Sequence, residues 1–213
     1  MIATFKNRRE VLKNFVVFEG LDGAGTTTQL HLLEEKFRDS GVDCFITCEP
    51  TEHPIGKIIR NVLEKSAQVD PYTLAYLFAA DRNEHLTSGD TGILKKLDEG
   101  AYVVTDRYLF SSLAYQSLHC GFDFVYSLNR YFPLPEHLFF IDVPVELCQE
   151  RMEGRGGREI FDESEAQARI LQLYEQSMEK YRETDMNIHR IDGRMKKEEI
   201  REKIWTSLGV ESR

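Results

Sequence analysis

Short apolar runs alternate with longer segments of mixed polarity along the whole chain. Five of the short runs are predicted to be β-strands, at residues 14–19, 43–47, 101–105, 137–143 and 187–191. Apolar residues follow one another in these runs with little interruption, which is typical of strands covered on both faces, as in a parallel sheet. The pattern therefore predicts a buried five-stranded parallel sheet.

Helical periodicity marks the segments between and after these strands. Gly41 following Ser40 predicts the end of the first helix, and Pro71 following Asp70 predicts the start of another. The predicted helices are residues 26–39, 55–66, 71–88, 92–99, 108–131, 145–153, 162–184 and 196–208. Alternating strands and helices indicate an α/β fold of three layers, in which ligands bind at the carboxyl ends of the strands.

Length and composition indicate one globular domain. The chain has 213 residues, of which 41% are hydrophobic and 30% charged, so we interpret residues 1–213 as a single domain with residues 1–13 as an N-terminal extension. The apolar runs fall far short of the roughly 20 residues of a membrane helix, so no membrane association is predicted. A net charge of −9 argues against binding nucleic acid.

The cysteines and the N-terminus indicate a cytoplasmic location. The N-terminal segment is polar and has no hydrophobic signal region. Four scattered cysteines suit neither a disulfide scaffold nor a zinc site, and we interpret them as reduced thiols. They are Cys44, Cys48, Cys120 and Cys148.

A glycine-rich loop follows the first predicted strand. Gly20, Gly23 and Gly25 allow a tight turn whose N–H groups, with the helix N-terminus behind them, can surround a phosphate. The spacing matches the pattern G-x-x-x-x-G-K-[ST], except that Thr26 occupies the lysine position. Thr27 falls where a hydroxyl would bind Mg²⁺. The alternative is a glycine-rich turn that binds nothing.

Charged residues follow the next two strands in the chain. Glu49 follows the second strand, and Asp106 and Arg107 follow the third. An arginine here can bind a phosphate through two parallel hydrogen bonds, and an aspartate can orient that arginine or bind a metal through water. A structural ion pair is the alternative for Asp106 and Arg107.

Two further segments carry candidate binding residues. Phe78 and Arg82 are four residues apart on one helix face, so the ring could stack on a base while the guanidinium binds its edge; a core position is the alternative for Phe78. Residues 153–162 are predicted to form a glycine-rich loop that contains Arg155 and Arg158. Such a loop suits a lid that closes over phosphate. The alternative interpretation is a solvated surface loop.

Taken in order, these motifs resemble the thymidylate kinases, within the P-loop nucleoside-monophosphate kinase family. The resemblance runs from about residue 14 to residue 208 and rests on six segments. They are FEGLDGAGTTTQ (18–29), EPT (49–51), PIGKIIR (54–60), LFAADR (77–82), DRYLFSSLAYQ (106–116) and FIDVP (140–144). It implies a P-loop NTPase-type fold with a short lid, Mg²⁺ as cofactor, ATP and dTMP as substrates, and a homodimer.

The resemblance also implies a role for individual residues. Asp22 would contact the sugar 3′-hydroxyl of dTMP and Arg107 its phosphate, while Glu49 would order the acceptor and metal site. Phe78 would stack on thymine, Arg82 and Ser112 would contact its edge, and Tyr115 would favour deoxyribose. Arg155 and Arg158 would be the catalytic cations, and Thr27 would bind Mg²⁺ with Asp106, directly or through water. The ATP phosphates would be held by Gly20, Leu21, Asp22, Gly23, Ala24, Gly25, Thr26 and Thr27.

Two positions depart from the family pattern. Thr26 replaces the lysine of the glycine loop, and Cys48 replaces the arginine that commonly precedes Glu-Pro in bacterial members. Each change removes a positive charge from a site for phosphate groups. Three hypotheses follow: a dTMP kinase, a kinase for another nucleoside or nucleotide, and a non-catalytic nucleotide-binding protein.

Overall fold

The fold is a five-stranded parallel sheet flanked by helices. The computed structural model describes residues 10–153 and 164–210. Its strands are β1 (Val11–Gly20), β2 (Cys44–Cys48), β3 (Tyr102–Asp106), β4 (Leu134–Asp142) and β5 (Asn187–Asp192). They lie in the order β2-β3-β1-β4-β5, and every neighbouring pair is parallel. The predicted P-loop NTPase-type α/β fold is thereby confirmed.

The helices follow the predicted order with one exception. They are α1 (Thr26–Ser40), α2 (Pro54–Leu63), α3 (Pro71–Thr87), α4 (Ile93–Asp98), α5 (Leu109–Tyr115), α6 (Ser117–Cys120), α7 (Phe122–Asn129), α8 (Val145–Glu153), α9 (Ser164–Lys180) and α10 (Lys197–Leu208). None of these helices, within the two described ranges, has both the length and the apolar character needed to cross a membrane.

The prediction of one helix over residues 108–131 was wrong. Three short helices, α5, α6 and α7, occupy this segment. Gly121 separates the last two with φ 79° and ψ 147°, a conformation that no helix residue adopts. In addition, all residues of α5 are buried, so its sequence does not show the one-sided apolar pattern from which helix boundaries are predicted.

The first strand begins earlier than the sequence predicts. β1 starts at Val11, and its first residues pair with Leu134 and Pro135 of β4. Residues 11–13, expected in an N-terminal extension, therefore belong to the sheet. Asn14 has a φ of 62°, and the pairing with β4 shifts register between Leu12 and Val16. The sequence pattern did not predict this earlier start, because the irregularity separates residues 11–13 from the continuous apolar run that follows.

Local turn chemistry confirms two predicted helix boundaries. Gly41 ends α1 with a left-handed φ of 69°. Asp70 begins α3, since its carboxylate accepts hydrogen bonds from the N–H groups of Tyr72 at 3.0 Å and Thr73 at 3.1 Å. Pro71 occupies the first turn, where its missing N–H costs nothing.

The most deeply buried part of the sheet carries the site. Residues 15–18 of β1 are wholly buried, and Phe18 stacks on Phe139 of β4 with ring centroids 5.5 Å apart. Asp106 at the end of β3 pairs in register with Phe18 of β1 and with Cys48 of β2. The loops after these three strands therefore leave the sheet side by side.

Candidate active site

A cavity of about 420 Å³ lies at the carboxyl ends of β1, β2 and β3. The arrangement follows the rule for open parallel sheets. Its lining includes most of the residues that the sequence singled out: Leu21, Asp22, Gly23, Gly25, Thr26, Thr27, Glu49, Phe78, Arg82, Asp106, Arg107 and Tyr115. Residues far apart in the chain thus share one cavity.

The glycine loop requires glycine for two reasons. Gly23 and Gly25 have φ values of 86° and 97°, which side chains with a Cβ rarely adopt. A Cβ on Gly23 would also lie 2.5 Å from the carbonyl oxygen of Cys148, so the loop packs directly against α8. The loop is therefore held in place by close backbone packing against α8.

Helix α1 presents an uncapped N-terminus to this loop. Gly25 is the N-cap residue and provides no side-chain hydrogen bond, and the first turn holds no acidic residue. The first N–H groups of a helix lack partners within the helix and carry partial positive charge. An anion beside Gly23–Thr27 would therefore be stabilised by these N–H groups.

Thr27 and Asp106 meet across the loop. The Thr27 hydroxyl donates a hydrogen bond of 2.6 Å to Asp106 Oδ2, whereas Asp106 Oδ1 is buried without a hydrogen-bond partner among the described residues. Over the same residues no cluster of three or more histidines, cysteines or acidic residues could hold a metal. One hydroxyl and one free carboxylate oxygen suit Mg²⁺, which usually keeps several waters and takes other ligands from substrate phosphates.

Asp22, Arg107 and Tyr115 form one contact group. Arg107 donates to the Asp22 carboxylate, and the Tyr115 hydroxyl donates to the same carboxylate over 3.0 Å. The Arg107 guanidinium lies 5.1 Å from the centroid of the Tyr115 ring. The structure thus brings together three residues that the resemblance assigns to the acceptor, although their contacts are with each other.

Glu19, which the sequence analysis missed, lies beneath Arg107. Its wholly buried carboxylate accepts hydrogen bonds from Tyr108 N–H at 2.9 Å, Ser111 Oγ at 2.5 Å and Tyr174 Oη at 2.9 Å. Burial raises the pKa of Glu19 to about 7, although hydrogen bonds from Ser111 and the charge of Arg107 oppose the shift. An acidic residue inside an apolar strand was the available signal.

The same hydroxyls connect Glu19 to Arg107. Arg107 Nη1 donates to Ser111 Oγ at 3.0 Å and to Tyr174 Oη at 3.3 Å. Arg107 itself has a left-handed φ of 71°, which is unfavourable for a residue with a side chain. Glu19, by binding Tyr108 N–H and Ser111, holds the turn that places Arg107.

Arg82 belongs to a buried network. Its Nη2 atom donates to Glu49 Oε2 at 2.6 Å and to Ser112 Oγ at 3.1 Å, while its Nη1 atom donates to Asn129. The other oxygen of Glu49 contacts His85 Nδ1 at 3.1 Å. Glu49 therefore neutralises Arg82, and Asn129 and His85 complete a network that the sequence analysis did not predict.

Phe78 is both a core residue and a wall of the cavity. It packs with Ile59 and Val62 of α2 and with Leu74 of α3 in a small apolar cluster, and it also lines the cavity. The two interpretations of Phe78 are therefore compatible, because one face of the ring can pack while an edge or face stays accessible.

The loop after β2 is fixed onto α3 and α2. Thr51 donates through its N–H at 2.9 Å and through its hydroxyl at 2.6 Å to the buried carboxylate of Asp81. Gly56 in α2 approaches so closely that a Cβ would lie 2.0 Å from the Thr51 carbonyl oxygen. Adjacent residues of α3, Asp81 and Arg82, thus hold Thr51 and Glu49.

Arg60 of α2 also lines the cavity, and the sequence analysis gave it no role. Its Nη2 atom donates to the Pro50 carbonyl at 2.5 Å and lies 3.7 Å from Cys48 Sγ. Burial raises the pKa of the Cys48 thiol, and Arg60 opposes this shift. A cation therefore adjoins the position where Cys48 replaces the arginine of the family pattern.

A second cavity, of about 320 Å³, borders the other side of the glycine loop. Arg151 of α8 lines it and donates to the carbonyl oxygens of Ala24 and Gly193, each at 3.2 Å. The glycine loop thus separates two cavities. Arg155 and Arg158 and nearly all of the predicted lid at 153–162 lie outside the described residues.

Comparison with known proteins identifies close relatives. The family model described as "Thymidylate kinase" matches residues 18–204. A protein of Treponema pallidum, provisionally named a thymidylate kinase, is 44% identical over 93% of this chain and 96% of its own length. Similarly named proteins of Methanococcus vannielii and Methanocaldococcus jannaschii are 42% and 41% identical, over 76% and 78% of this chain and 77% and 82% of their own lengths.

Proposed function

The chain belongs to the thymidylate kinase family, and from that premise we propose that it transfers the γ-phosphoryl group of ATP to dTMP, giving dTDP and ADP. The observation that carries the proposal is the single cavity in which an uncapped helix N-terminus faces Asp22, Arg107 and Phe78. Such a cavity offers an anion site beside groups that suit a nucleoside monophosphate.

The donor phosphates occupy the glycine loop in this proposal. The N–H groups of residues 20–27 surround them, and the ATP base extends toward the second cavity, beside Arg151. Thr27 and the free oxygen of Asp106 would hold Mg²⁺. When bound, Mg²⁺ neutralises charge on the phosphate oxygens.

The acceptor occupies the larger cavity. Thymine stacks on Phe78, and its edge meets Arg82 and Ser112, whose hydrogen bond is 3.1 Å. Arg107 binds the phosphate, for which it exchanges part of its contact with Asp22. Asp22 then binds the 3′-hydroxyl of the sugar.

Tyr115 favours deoxyribose by filling the space that a 2′-hydroxyl would need. This role is supported by its hydrogen bond to Asp22, which holds the ring beside the sugar-binding carboxylate. Glu49 orders the acceptor through Arg82.

Residues outside the described part of the chain complete the site in the proposal. Arg155 and Arg158 of the lid stabilise the transferred charge, since Thr26 provides no cation in the glycine loop.

We further propose a homodimer. Tyr72 and Tyr76 of α3 are exposed aromatic residues beside Phe124 of α7, and such a patch suits a protein interface.

The decisive experiment measures ADP release with ATP, Mg²⁺ and each deoxynucleoside monophosphate in turn. We expect turnover with dTMP well above that with the other substrates. Preferred turnover of another nucleotide would overturn the choice of acceptor, and binding of ATP and dTMP without turnover would overturn the catalytic proposal. Sedimentation equilibrium tests the homodimer.

A further inference from the structure

The two terminal nitrogens of Arg107 face different kinds of partner. Nη2 donates to the carboxylate of Asp22, a partly exposed residue that lines the larger cavity. Nη1 meets three neutral oxygens of buried residues: the Gly20 carbonyl at 3.4 Å, Ser111 Oγ at 3.0 Å and Tyr174 Oη at 3.3 Å. The guanidinium is thus attached to the protein interior through Nη1 and directs Nη2 to the cavity.

Tyr174 of α9 provides one of these oxygens from a position 67 residues beyond Arg107. Its side chain is wholly buried, and its hydroxyl also lies 2.9 Å from Glu19 Oε2, 2.9 Å from Ser111 Oγ and 3.3 Å from the Gly20 carbonyl oxygen. A tyrosine hydroxyl has one proton to donate, and here it donates to the Glu19 carboxylate. The hydroxyl oxygen is therefore left to accept a hydrogen bond from Arg107.

An arginine that exchanges its partner needs other contacts that keep its orientation. Arginine has a long side chain with many rotamers, and ordering it only when a ligand arrives weakens binding. If Nη2 of Arg107 leaves Asp22 for a phosphate, the contacts of Nη1 are the ones that remain. The inner oxygens therefore determine whether the guanidinium stays aimed at the phosphate.

We propose that Tyr174 is a positioning residue for the acceptor phosphate: its hydroxyl holds Nη1 of Arg107, so that Nη2 can exchange Asp22 for the phosphate while the guanidinium keeps its orientation. The inference rests on the proposed function, because it takes Arg107 as the residue that binds the phosphate of dTMP. Tyr174 is not part of the lining of the larger cavity, so it acts through Arg107 and does not touch the ligand.

A purely structural role for Tyr174 makes a different prediction. Its ring packs against Phe140 and Tyr115, with centroid distances of 5.2 Å and 6.1 Å, and Tyr174→Phe keeps that ring and removes only the hydroxyl. If Tyr174 serves only the core, this variant should bind every ligand of the cavity as the wild type does, or bind all of them more weakly to the same extent. A positioning role affects dTMP and spares thymidine, which has the same base and sugar without the phosphate.

The experiment compares binding of dTMP and of thymidine to the wild type and to Tyr174→Phe by calorimetry, without ATP. We expect the affinity for dTMP to fall about three- to tenfold, the scale of one hydrogen bond, and the affinity for thymidine to change less than about twofold. Tyr181→Phe is the matched control. Tyr181 is a buried tyrosine one residue beyond α9, seven residues after Tyr174, where its ring packs against Phe110, and its variant should change neither affinity.

A double-mutant cycle shows whether Tyr174 acts through Arg107. In an Arg107→Ala background, Tyr174→Phe should have no further effect on the affinity for dTMP, because the guanidinium that the hydroxyl positions is gone. If Tyr174→Phe alone does not fold, Glu19→Gln is compared with the double variant Glu19→Gln/Tyr174→Phe. In that pair no buried carboxylate loses its hydrogen-bond donor.

Equal losses for dTMP and thymidine, no loss for either, or a loss that persists in full in the Arg107→Ala background would overturn the proposal. Turnover of dTMP by the wild type is measured separately. Normal turnover with no selective loss in the variant rejects the role of Tyr174 alone. Absent turnover with a selective loss that depends on Arg107 rejects the proposed kinase activity and keeps the positioning role.

Discussion

Arg82 and Arg107 line the same cavity but are held in different ways. Arg82, beside Phe78 at what we call the base end, is 1% exposed, and its contacts with Glu49, Ser112 and Asn129 satisfy both terminal nitrogens. Arg107, beside the glycine loop at what we call the phosphate end, is 21% exposed and shares Asp22 with Tyr115. Arg60, in the same lining, is 35% exposed.

The difference agrees with what each arginine would bind in the proposed function. A charge removed from water is stable only when it is paired and hydrogen-bonded, so an arginine that presents a donor to a neutral base can be permanently paired with Glu49. An arginine that binds an incoming phosphate must be able to exchange its partner. The proposed function therefore requires a preorganised base end and a phosphate end whose contacts can exchange on binding.

The largest expected effect is on the free energy of unfolding, and it contrasts a buried carboxylate with an exposed one. Glu49→Ala leaves Arg82 buried without its carboxylate, so we expect the free energy of unfolding to fall by about 3–5 kcal/mol. Glu52→Ala removes the exposed partner of Arg60 and should cost less than about 1 kcal/mol. Urea denaturation of both variants checks the contrast, and similar losses would contradict it.

A second prediction concerns the cations of the lid. If Arg155 and Arg158 compensate for Thr26, replacing the better-placed one by alanine should lower kcat/KM about 10³-fold, the scale of an arginine finger. Thr26→Lys should partly restore it, because both cations reach the same oxygens. A double-mutant cycle on kcat/KM checks this. Strictly additive effects, or an unchanged rate with alanine at both lid positions, would show that the lid does not compensate.

A third prediction uses the buried carboxylate beneath the phosphate end. The pKa of Glu19 is raised to about 7 from 4.5, so the folded state binds its proton more tightly. This contribution to stability is complete below about pH 4.5 and is lost as the pH rises through 7; at about 1.4 kcal/mol per pKa unit it is on the order of 3 kcal/mol.

The variant Glu19→Gln isolates that effect, because every other titrating group is shared with the wild type. We expect the wild type to lose stability relative to the variant between pH 5 and pH 8, as measured by urea denaturation at each pH. Arg107, Ser111, Tyr108 and Tyr174 surround the carboxylate. A constant difference across this pH range would show that Glu19 does not titrate there.

A fourth prediction tests the base end by specificity. Arg82 can donate to the carbonyl at the 4-position of thymine, where cytosine carries an amino group, so donor would face donor with dCMP. We expect kcat/KM for dCMP to be about 10²-fold below that for dTMP, with dUMP between them, because a buried group is left unpaired. Equal turnover of dTMP and dCMP in the substrate panel would reject this role of Arg82.

The smallest effect is expected at Arg107. Arg107→Ala should lower the affinity for dTMP and kcat/KM about ten- to a hundredfold, because one charge-assisted contact to the phosphate is lost. The melting temperature should stay close to that of the wild type, since alanine removes a partly exposed ion pair. Full retention of kcat/KM would mean that Arg107 serves only as the partner of Asp22.

The sequence was enough to predict the sheet, nearly all the helices and most of the cavity lining, because the signals for these features lie in neighbouring residues. Apolar runs, glycine spacing and helix caps are properties of neighbouring residues, and they located the glycine loop and the starts of α1 and α3. Where that reasoning was wrong, at residues 108–131, burial on all sides of α5 removed the periodic signal and Gly121 ended the helix.

Partners that lie far apart in the chain were decided only by the tertiary structure. Glu49 and Arg82 are 33 residues apart, and Glu19 and Tyr174 are 155 apart. A one-dimensional pattern can indicate that an arginine follows a strand, but the groups that neutralise it depend on which elements pack together. The residue types thus determined the chemistry available at the site, and the packing of α2, α3 and α9 on the strand ends decided which charges are paired and how far each arginine is exposed.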